Sequence, residues 1–301
     1  MTTQGPPLPQ AIRTAVVDRL PGADVQNAAL IGEGIATRAY QVDDPSGTWV
    51  VRVSNGYPEP WRWRGGRAYE VPLLEALASR GLPVPQDPFP VLAVDGLPVA
   101  IVERKVAGQP LIAPPAGKRR SRLARQLASF LTVLHRIPVA EAHALGLPRS
   151  SVAVEARQHL DLAKPFLTTK VYRWLDQEIS WLDQQDVPTA LVHTDIRAEH
   201  LYLDTEGDLV GVIDFGDAAI GDPARDFAKI AGDFGDRFVH LLLSHYRGPA
   251  ADGILARSQL YRRLDTLWEV AEDAWGERPS ALRRLRSLTA AATRARQARS
   301  V

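Results

Sequence analysis

Residues 191–229 read LVHTDIRAEHLYLDTEGDLVGVIDFGDAAIGDPARDFAK. A short apolar run leads into a polar loop opened by His193 and Asp195, and a hairpin follows. The hairpin's second strand, Leu209-Val-Gly-Val-Ile213, carries Asp214 into Phe215-Gly216. Two apolar strand ends therefore present two carboxylates, with the imidazole of His200 between them. Carboxylate and imidazole together are groups that can hold a divalent cation beside a proton acceptor. An HxD triplet or a DFG triplet alone arises easily by chance. Both in order, 19 residues apart and joined by a hairpin, do not.

The surrounding chain has 301 residues, enough for two lobes that share a cleft. Its apolar fraction of 45% and charged fraction of 24% are those of an ordinary globular protein. Cysteine is absent, which excludes a disulfide framework, cysteine metal ligands and a thiol nucleophile. The opening MTTQGPPLPQ lacks the basic-then-apolar pattern of a signal peptide. No apolar run approaches the roughly 20 residues that span a bilayer. A soluble, cytoplasmic protein without a membrane partner is the expectation.

The net charge of +1 conceals an asymmetry. Residues 190–240 carry eleven acids against four Lys or Arg, whereas residues 278–301 carry seven arginines and no acid. The basic tail lacks aromatics to stack on bases, so it reads as the solvated face of a terminal helix rather than a nucleic-acid site. The acidic segment would repel nucleic acid and attract metal ions and cationic small molecules.

Taken in order, residues 9–20 read as an amphipathic helix ended by Pro21-Gly22. Residues 28–42 read as strand, glycine-containing turn and strand, and 48–53 as a β-branched strand. A helix is expected over 66–80, closed by Gly81 and Pro83, then strands over 90–94 and 98–103 around an Asp95-Gly96 turn. Beyond Gly108 the pattern turns helical. Residues 118–136 place Leu123, Leu127, Phe130, Leu131 and Leu134 on one stripe. Further helices are expected near 151–166, 170–186, 223–246, 258–276 and 280–299. The change of character sets an N-terminal lobe at 1–104 and a C-terminal lobe at 105–301.

Several other features fit a cleft between these lobes. Gly32-Glu-Gly34 is either a plain turn or a loop whose amides approach an anion without an intervening Cβ. Arg52 interrupts an apolar strand, either as a charge reaching for water or as a cleft cation paired with Glu70, with Glu75 as a competing partner. Residues 102–106, with Glu103 and Lys105, join the lobes and could read a purine ring mainly through backbone groups.

The combination resembles the aminoglycoside phosphotransferase family, whose fold is similar to that of the protein kinases. The resemblance rests on His193-Thr-Asp195 with His200, on Ile213-Asp-Phe-Gly-Asp-Ala-Ala-Ile-Gly-Asp-Pro223 with Asp226, and on Leu131-Thr-Val-Leu-His-Arg-Ile-Pro138. Gly32-Glu-Gly34, Val50-Val-Arg-Val53 and Val84-Pro85 match more weakly, and coverage runs from about Ile31 to Ile230. It implies an α+β, bilobal kinase-like fold with a small antiparallel sheet and one helix in the first lobe and a mainly helical second lobe. It also implies transfer of a nucleotide γ-phosphate to a hydroxyl, with Asp195 as catalytic base or acceptor-orienting group. Asp214 and His200 would hold Mg²⁺ or Mn²⁺, and Gly32, Gly34, Arg52, Glu70, Glu103 and Lys105 would line the site for ATP or GTP. His193 and Asp226 would brace the loop.

Three departures from the family pattern bear on this. His200 stands where asparagine is usual, which resembles the branch acting on the 2″-hydroxyl of aminoglycosides and on macrolides. Imidazole is a poorer Mg²⁺ partner than oxygen, so this position could also admit Mn²⁺. Arg52 replaces lysine with a planar fork, and Thr194 replaces a frequent glycine. The remaining histidines, among them His135, His143 and His240, have no convergent spacing and read as core or surface residues.

The acceptor would lie between the loop and the C-terminal helices. Trp268, Glu272 and Trp275 share one helical face, as core residues or as a ring-binding wall with one acid for an amine. Asp233 and Asp236 are further candidates for cationic groups. An aminoglycoside or macrolide antibiotic is the leading acceptor, and a sugar, amino alcohol or amino acid is the alternative. A nucleotide-binding protein without catalysis is a further reading, which the intact Asp195 and Asp214 disfavour.

Overall fold

The computed structural model describes residues 6–34, 36–59, 67–249 and 252–275, without the side chains of 268, 269 and 271–275. Pro9 opens α1 (Gln10–Arg19), and Leu8, Ile12 and Val16 are buried along the side of the helix facing the sheet. That sheet is antiparallel, in the order β1 (Ala29–Glu33), β2 (Thr37–Asp44), β3 (Gly47–Ser54), β5 (Pro98–Arg104), β4 (Phe89–Leu92). Alternation along β3 decides what faces the cleft. Trp49, Val51 and Val53 pack with α1 in one core cluster, while Arg52 projects from the opposite face.

Helix α2 (Glu70–Ala78) lies between β3 and β4 in sequence, but Leu73, Leu74 and Leu77 pack with Leu123, Leu127 and Leu131 in the larger core. By packing, α2 belongs with the second lobe as much as with the sheet. Between the lobes, Gly108 has φ +86°, and a Cβ there would collide with the Leu203 carbonyl. Only glycine lets the chain cross at that separation. The crossing is pinned by β6 (Gln109–Pro110) against β8 (Leu201–Leu203), which pairs in turn with β9 (Leu209–Val212).

In the second lobe, the expected stripe on α3 (Gly117–His135) is buried throughout. Burying each such leucine contributes about 1.5–3 kcal/mol. The short α4 (Val139–Ala144) follows. Then come α5 (Val152–Ala163) and α6 (Thr169–Asp183), whose first turns are capped by the Ser151 and Thr168 hydroxyls. Strand β7 (Ala190–Val192) pairs antiparallel with β10 (Ala219–Gly221). This ladder had no expectation in the sequence reading. It ties the start of the His193 loop to the chain leaving Asp214.

The expected helix over 223–246 is two helices, α7 (Ala224–Phe234) and α8 (Asp236–His245). Gly235, at φ +77°, ends the first in a conformation that an L side chain resists. Helix α9 (Ile254–Trp275) completes the described chain and packs on α7 and α5. The α2 helix begins at Glu70 rather than Gly66, which lies outside the described residues, as does the helix expected over 280–299. Among the described residues, no helix is long and apolar enough to cross a membrane.

Candidate active site

The loop after β7 is built around two buried groups, His193 and Asp226. His193 Nδ1 accepts the Asp195 N–H at 3.2 Å, which leaves Nε2 to donate to the Ile213 carbonyl at 3.0 Å. One ring thus fastens the backbone of both aspartate-bearing segments. Thr194 sits at φ 72°, unfavourable for a β-branched residue. Three hydrogen bonds hold the turn. Asp226 accepts the Thr194 N–H at 2.6 Å and the His193 N–H at 3.1 Å, and the Thr194 hydroxyl donates to the Asp217 carbonyl at 2.8 Å.

His135 contacts Asp226 at 2.9 Å and the Tyr246 hydroxyl at 2.8 Å, linking the loop to α3 and to the end of α8. The sequence reading gave His135 no role, because its partners lie about ninety residues or more away in the chain. Burial pushes the Asp226 carboxyl up. Its hydrogen bond and charge interaction with His135, with His193 nearby, outweigh this and hold it below the ordinary value.

On this frame stand three groups that could hold a cation. Single ligand atoms of Asp195, His200 and Asp214 all lie within 4.8 Å of one another. His200 Nδ1 is 2.7 Å from the Asp195 carbonyl oxygen and donates its hydrogen there, which turns Nε2 toward Asp214 Oδ2 at 3.7 Å. A ring whose other N–H is fixed on a carbonyl is the arrangement found in metal-binding histidines. Two carboxylates and one imidazole fit a small divalent cation. Asp214 occupies the left-handed region at φ 66°, ψ 64°, which turns its carboxylate back to this point.

The two carboxylates differ electrostatically. Burial raises the Asp195 carboxyl above its ordinary value, and the nearby His200, Lys229, His193 and Arg197 offset only part of that. Burial also works against an ionised Asp214, but Arg52 and Arg67 overcome it and hold the group below the ordinary value. Environments that push two carboxylates apart suit one to accept a proton and the other to stay charged beside a cation.

From the first lobe, Arg52 is hydrogen-bonded to Glu70 at the start of α2 and to Glu103 on β5. Its Nη1 stands 3.9 Å from Asp214 Oδ1. Glu75 is exposed and does not compete for it. The sequence reading missed Arg67 and Tyr69. The Tyr69 hydroxyl donates to the Gly216 carbonyl at 2.6 Å, and Arg67 lies so close over Gly216 that any Cβ there would collide with its guanidinium. Their signal was proximity to Glu70 in sequence. It carried no information without the position of Gly216.

The remaining candidates sit as follows. Gly34 donates its N–H to the Thr37 carbonyl at 2.8 Å, closing the β1–β2 turn. A Cβ at Gly32 or Gly34 would meet only ordinary contacts, so protein packing does not require glycine at either. The Lys105 ammonium donates to the Gln41 side-chain oxygen at 2.7 Å, and the Lys105 backbone N–H donates to the Thr48 carbonyl. Asp233 accepts the Ala198 N–H at 2.7 Å and so also supports the loop. Asp236 pairs with Arg262 at 2.7 Å. Trp268, Glu272 and Trp275 lie on α9 with side chains outside the described residues.

A two-lobed chain with a five-stranded antiparallel sheet and a helical second lobe has the protein-kinase-like fold. Residues 27–267 match the Phosphotransferase enzyme family (APH), and the chain belongs to that family. A 74-residue stretch is 30% identical to YcbJ, an uncharacterized protein of Bacillus subtilis (strain 168), and covers 25% of this chain and 23% of that one. The match thus spans less than a quarter of that curated relative. Among solved structures, the GDP complex of aminoglycoside 2'-phosphotransferase-IIIa superposes with a TM-score of 0.74 at 23% identity, covering 93% of this chain and 98% of that one. Macrolide 2'-phosphotransferase MphH from Brachybacterium faecium superposes with a TM-score of 0.64 at 20% identity, covering 93% and 96%. At these identities the likeness is one of fold.

Proposed function

We propose that this protein transfers the γ-phosphate of ATP or GTP to a hydroxyl of a small molecule, with an aminoglycoside or macrolide antibiotic as leading acceptor. One observation carries the reading: ligand atoms of Asp195, His200 and Asp214 fall within 4.8 Å of one another, with Arg52 reaching to 3.9 Å of Asp214 from the opposite lobe. Asp214 and the Nε2 of His200 would hold Mg²⁺ or Mn²⁺. When bound, that ion neutralises phosphate charge and fixes the nucleotide in line with its acceptor.

Asp195 orients the acceptor hydroxyl and takes its proton as the oxygen attacks phosphorus and the bond to the nucleotide's leaving oxygen breaks. Its raised affinity for a proton suits that role. Arg52 meets the charge of the nucleotide phosphates from the sheet. The lobes are those of residues 1–104 and 105–301, with the nucleotide between them.

A second reading, a metabolic kinase acting on a sugar, amino alcohol or amino acid, is favoured by the state of the two acceptor-side acids the structure describes. Asp236 pairs with Arg262 at 2.7 Å, and Asp233 accepts the Ala198 N–H at 2.7 Å. A polycationic acceptor would have to compete with these internal partners for the carboxylates, and a less charged acceptor would not. An acceptor panel of aminoglycosides, macrolides, sugars and amino alcohols in a coupled nucleotide assay decides between them. The antibiotic reading requires turnover above background with at least one antibiotic. Turnover confined to the metabolites overturns it.

A further inference from the structure

Arg52 carries more carboxylate than a phosphate-binding cation needs. Strand register is the reason. Across β3 and β5, Arg52 faces Ile101 and Val50 faces Glu103, so Arg52 and Glu103 are diagonal neighbours on the cleft face. Both are largely buried.

The guanidinium is divided between its edges. Glu103 Oε1 stands 3.2 Å from Nε and its Oε2 3.2 Å from Nη2, while Nη2 also donates to Glu70. Two carboxylates thus occupy the Nε and Nη2 side of the fork. Nη1 and Nε are both buried and make no hydrogen bond among the described residues, but Nε has Glu103 Oε1 at ion-pair distance beside it, whereas Nη1 has only Asp214 Oδ1, at 3.9 Å. An unpaired buried donor costs free energy, so this arrangement makes sense where an anion comes to meet it.

A lysine could not divide its contacts this way. Its donors radiate from one nitrogen, whereas the planar fork separates a carboxylate-facing edge from a free end. A lysine placed here would leave part of a buried carboxylate unserved.

Building on the phosphotransferase reading above, we infer that Glu103 is a positioning residue that holds the Arg52 fork so that Nη1 faces the nucleotide phosphates beside Asp214. Glu103 therefore acts through Arg52 rather than by touching the nucleotide. It is also the reason that this strand carries arginine.

A double-mutant cycle on the full chain tests this, using Glu103→Leu, Glu103→Gln, Arg52→Lys and Arg52→Lys/Glu103→Leu. The readouts are KM for nucleotide, KM for acceptor, kcat, and calorimetric binding of ADP with Mg²⁺. Glu103→Leu should weaken nucleotide KM and ADP binding about tenfold with acceptor KM unchanged, and Glu103→Gln, which keeps a hydrogen-bonding partner, about threefold. Arg52→Lys should lose about a hundredfold, and the double variant should regain about tenfold of that, because leucine removes the carboxylate that lysine cannot serve. Should a leucine variant fail to fold, as judged by its melting transition, the same cycle run with Glu103→Gln carries the test. Effects that simply multiply, or a Glu103→Leu protein with wild-type nucleotide KM, overturn the inference while leaving the kinase reading intact. A wild-type chain that binds no ADP with Mg²⁺ overturns both.

Discussion

At the scale of single residues, the site depends on two acids whose surroundings raise their affinity for a proton. Asp195 must be ionised to accept a proton, and burial raises its value. Rate should therefore fall on the acid side at a pH above the ordinary carboxylate value of about 4, as profiles of kcat/KM would record. Asp195→Asn, which cannot accept the proton, should lower the rate by about 10⁴-fold, to background in that assay.

Glu103 behaves differently because its proton bears on stability. Burial, only partly offset by an arginine it shares with Glu70, pushes it from 4.5 to about 7. The folded chain thus holds this proton more tightly than the unfolded one. The stability it contributes is full below pH 4.5 and is lost as pH rises through about 7. Urea midpoints of wild type and Glu103→Gln across that range should show the slope in the wild type only.

At the scale of elements, Asp226 fastens α7 to α3 and to the loop that leaves β7. Asp226→Ala leaves the His193 and Thr194 amides without acceptors, and the loss should be about 3 kcal/mol or more in denaturant unfolding. The pH sign is opposite to that of Glu103. The Asp226 value is depressed, so its contribution is present above about pH 4 and lost as pH falls through the lower folded value. The Phe215-Gly216 turn is a second fastening, where Tyr69 and Arg67 reach it from the start of α2. Gly216→Ala should displace Arg67 and cut kcat while circular dichroism keeps the wild-type helix signal.

Much of this was legible in residues 191–229, because the chemistry there is local. Asp195, His200 and Asp214 sit on one loop and one hairpin, and hairpin pairing is enough to bring them together. The stripe on α3 was legible for a similar reason, since 3.6-residue periodicity is a property of neighbours in sequence. Arg67, Tyr69 and His135 were not, because each acts on a segment distant in sequence, brought close between the lobes for Arg67 and Tyr69 and by helix packing within the second lobe for His135. The long helix expected over 223–246 failed at Gly235, where a single φ of 77° divides a continuous amphipathic pattern.

At the scale of the whole molecule, two cores meet at the cleft. The sheet and α1 form one, while α2 and the C-terminal helices form the other. Arg52 and Asp214 approach each other across it. A nucleotide that contacts both sides should raise the melting midpoint, with about 2.7 kcal/mol available at a ligand concentration a hundred times Kd.

On the proposed function, this cleft moves phosphate from a nucleotide to a hydroxyl through Asp195 and Asp214. Incubation with γ-labelled ATP or GTP, Mg²⁺ and the acceptor panel, read by label on the acceptor, addresses it most directly. The wild type should yield labelled product, and Asp195→Asn or Asp214→Asn proteins that retain the wild-type fold should yield none above background. Full labelling by folded Asp214→Asn, or no labelled acceptor with any compound while the nucleotide binds, would contradict it.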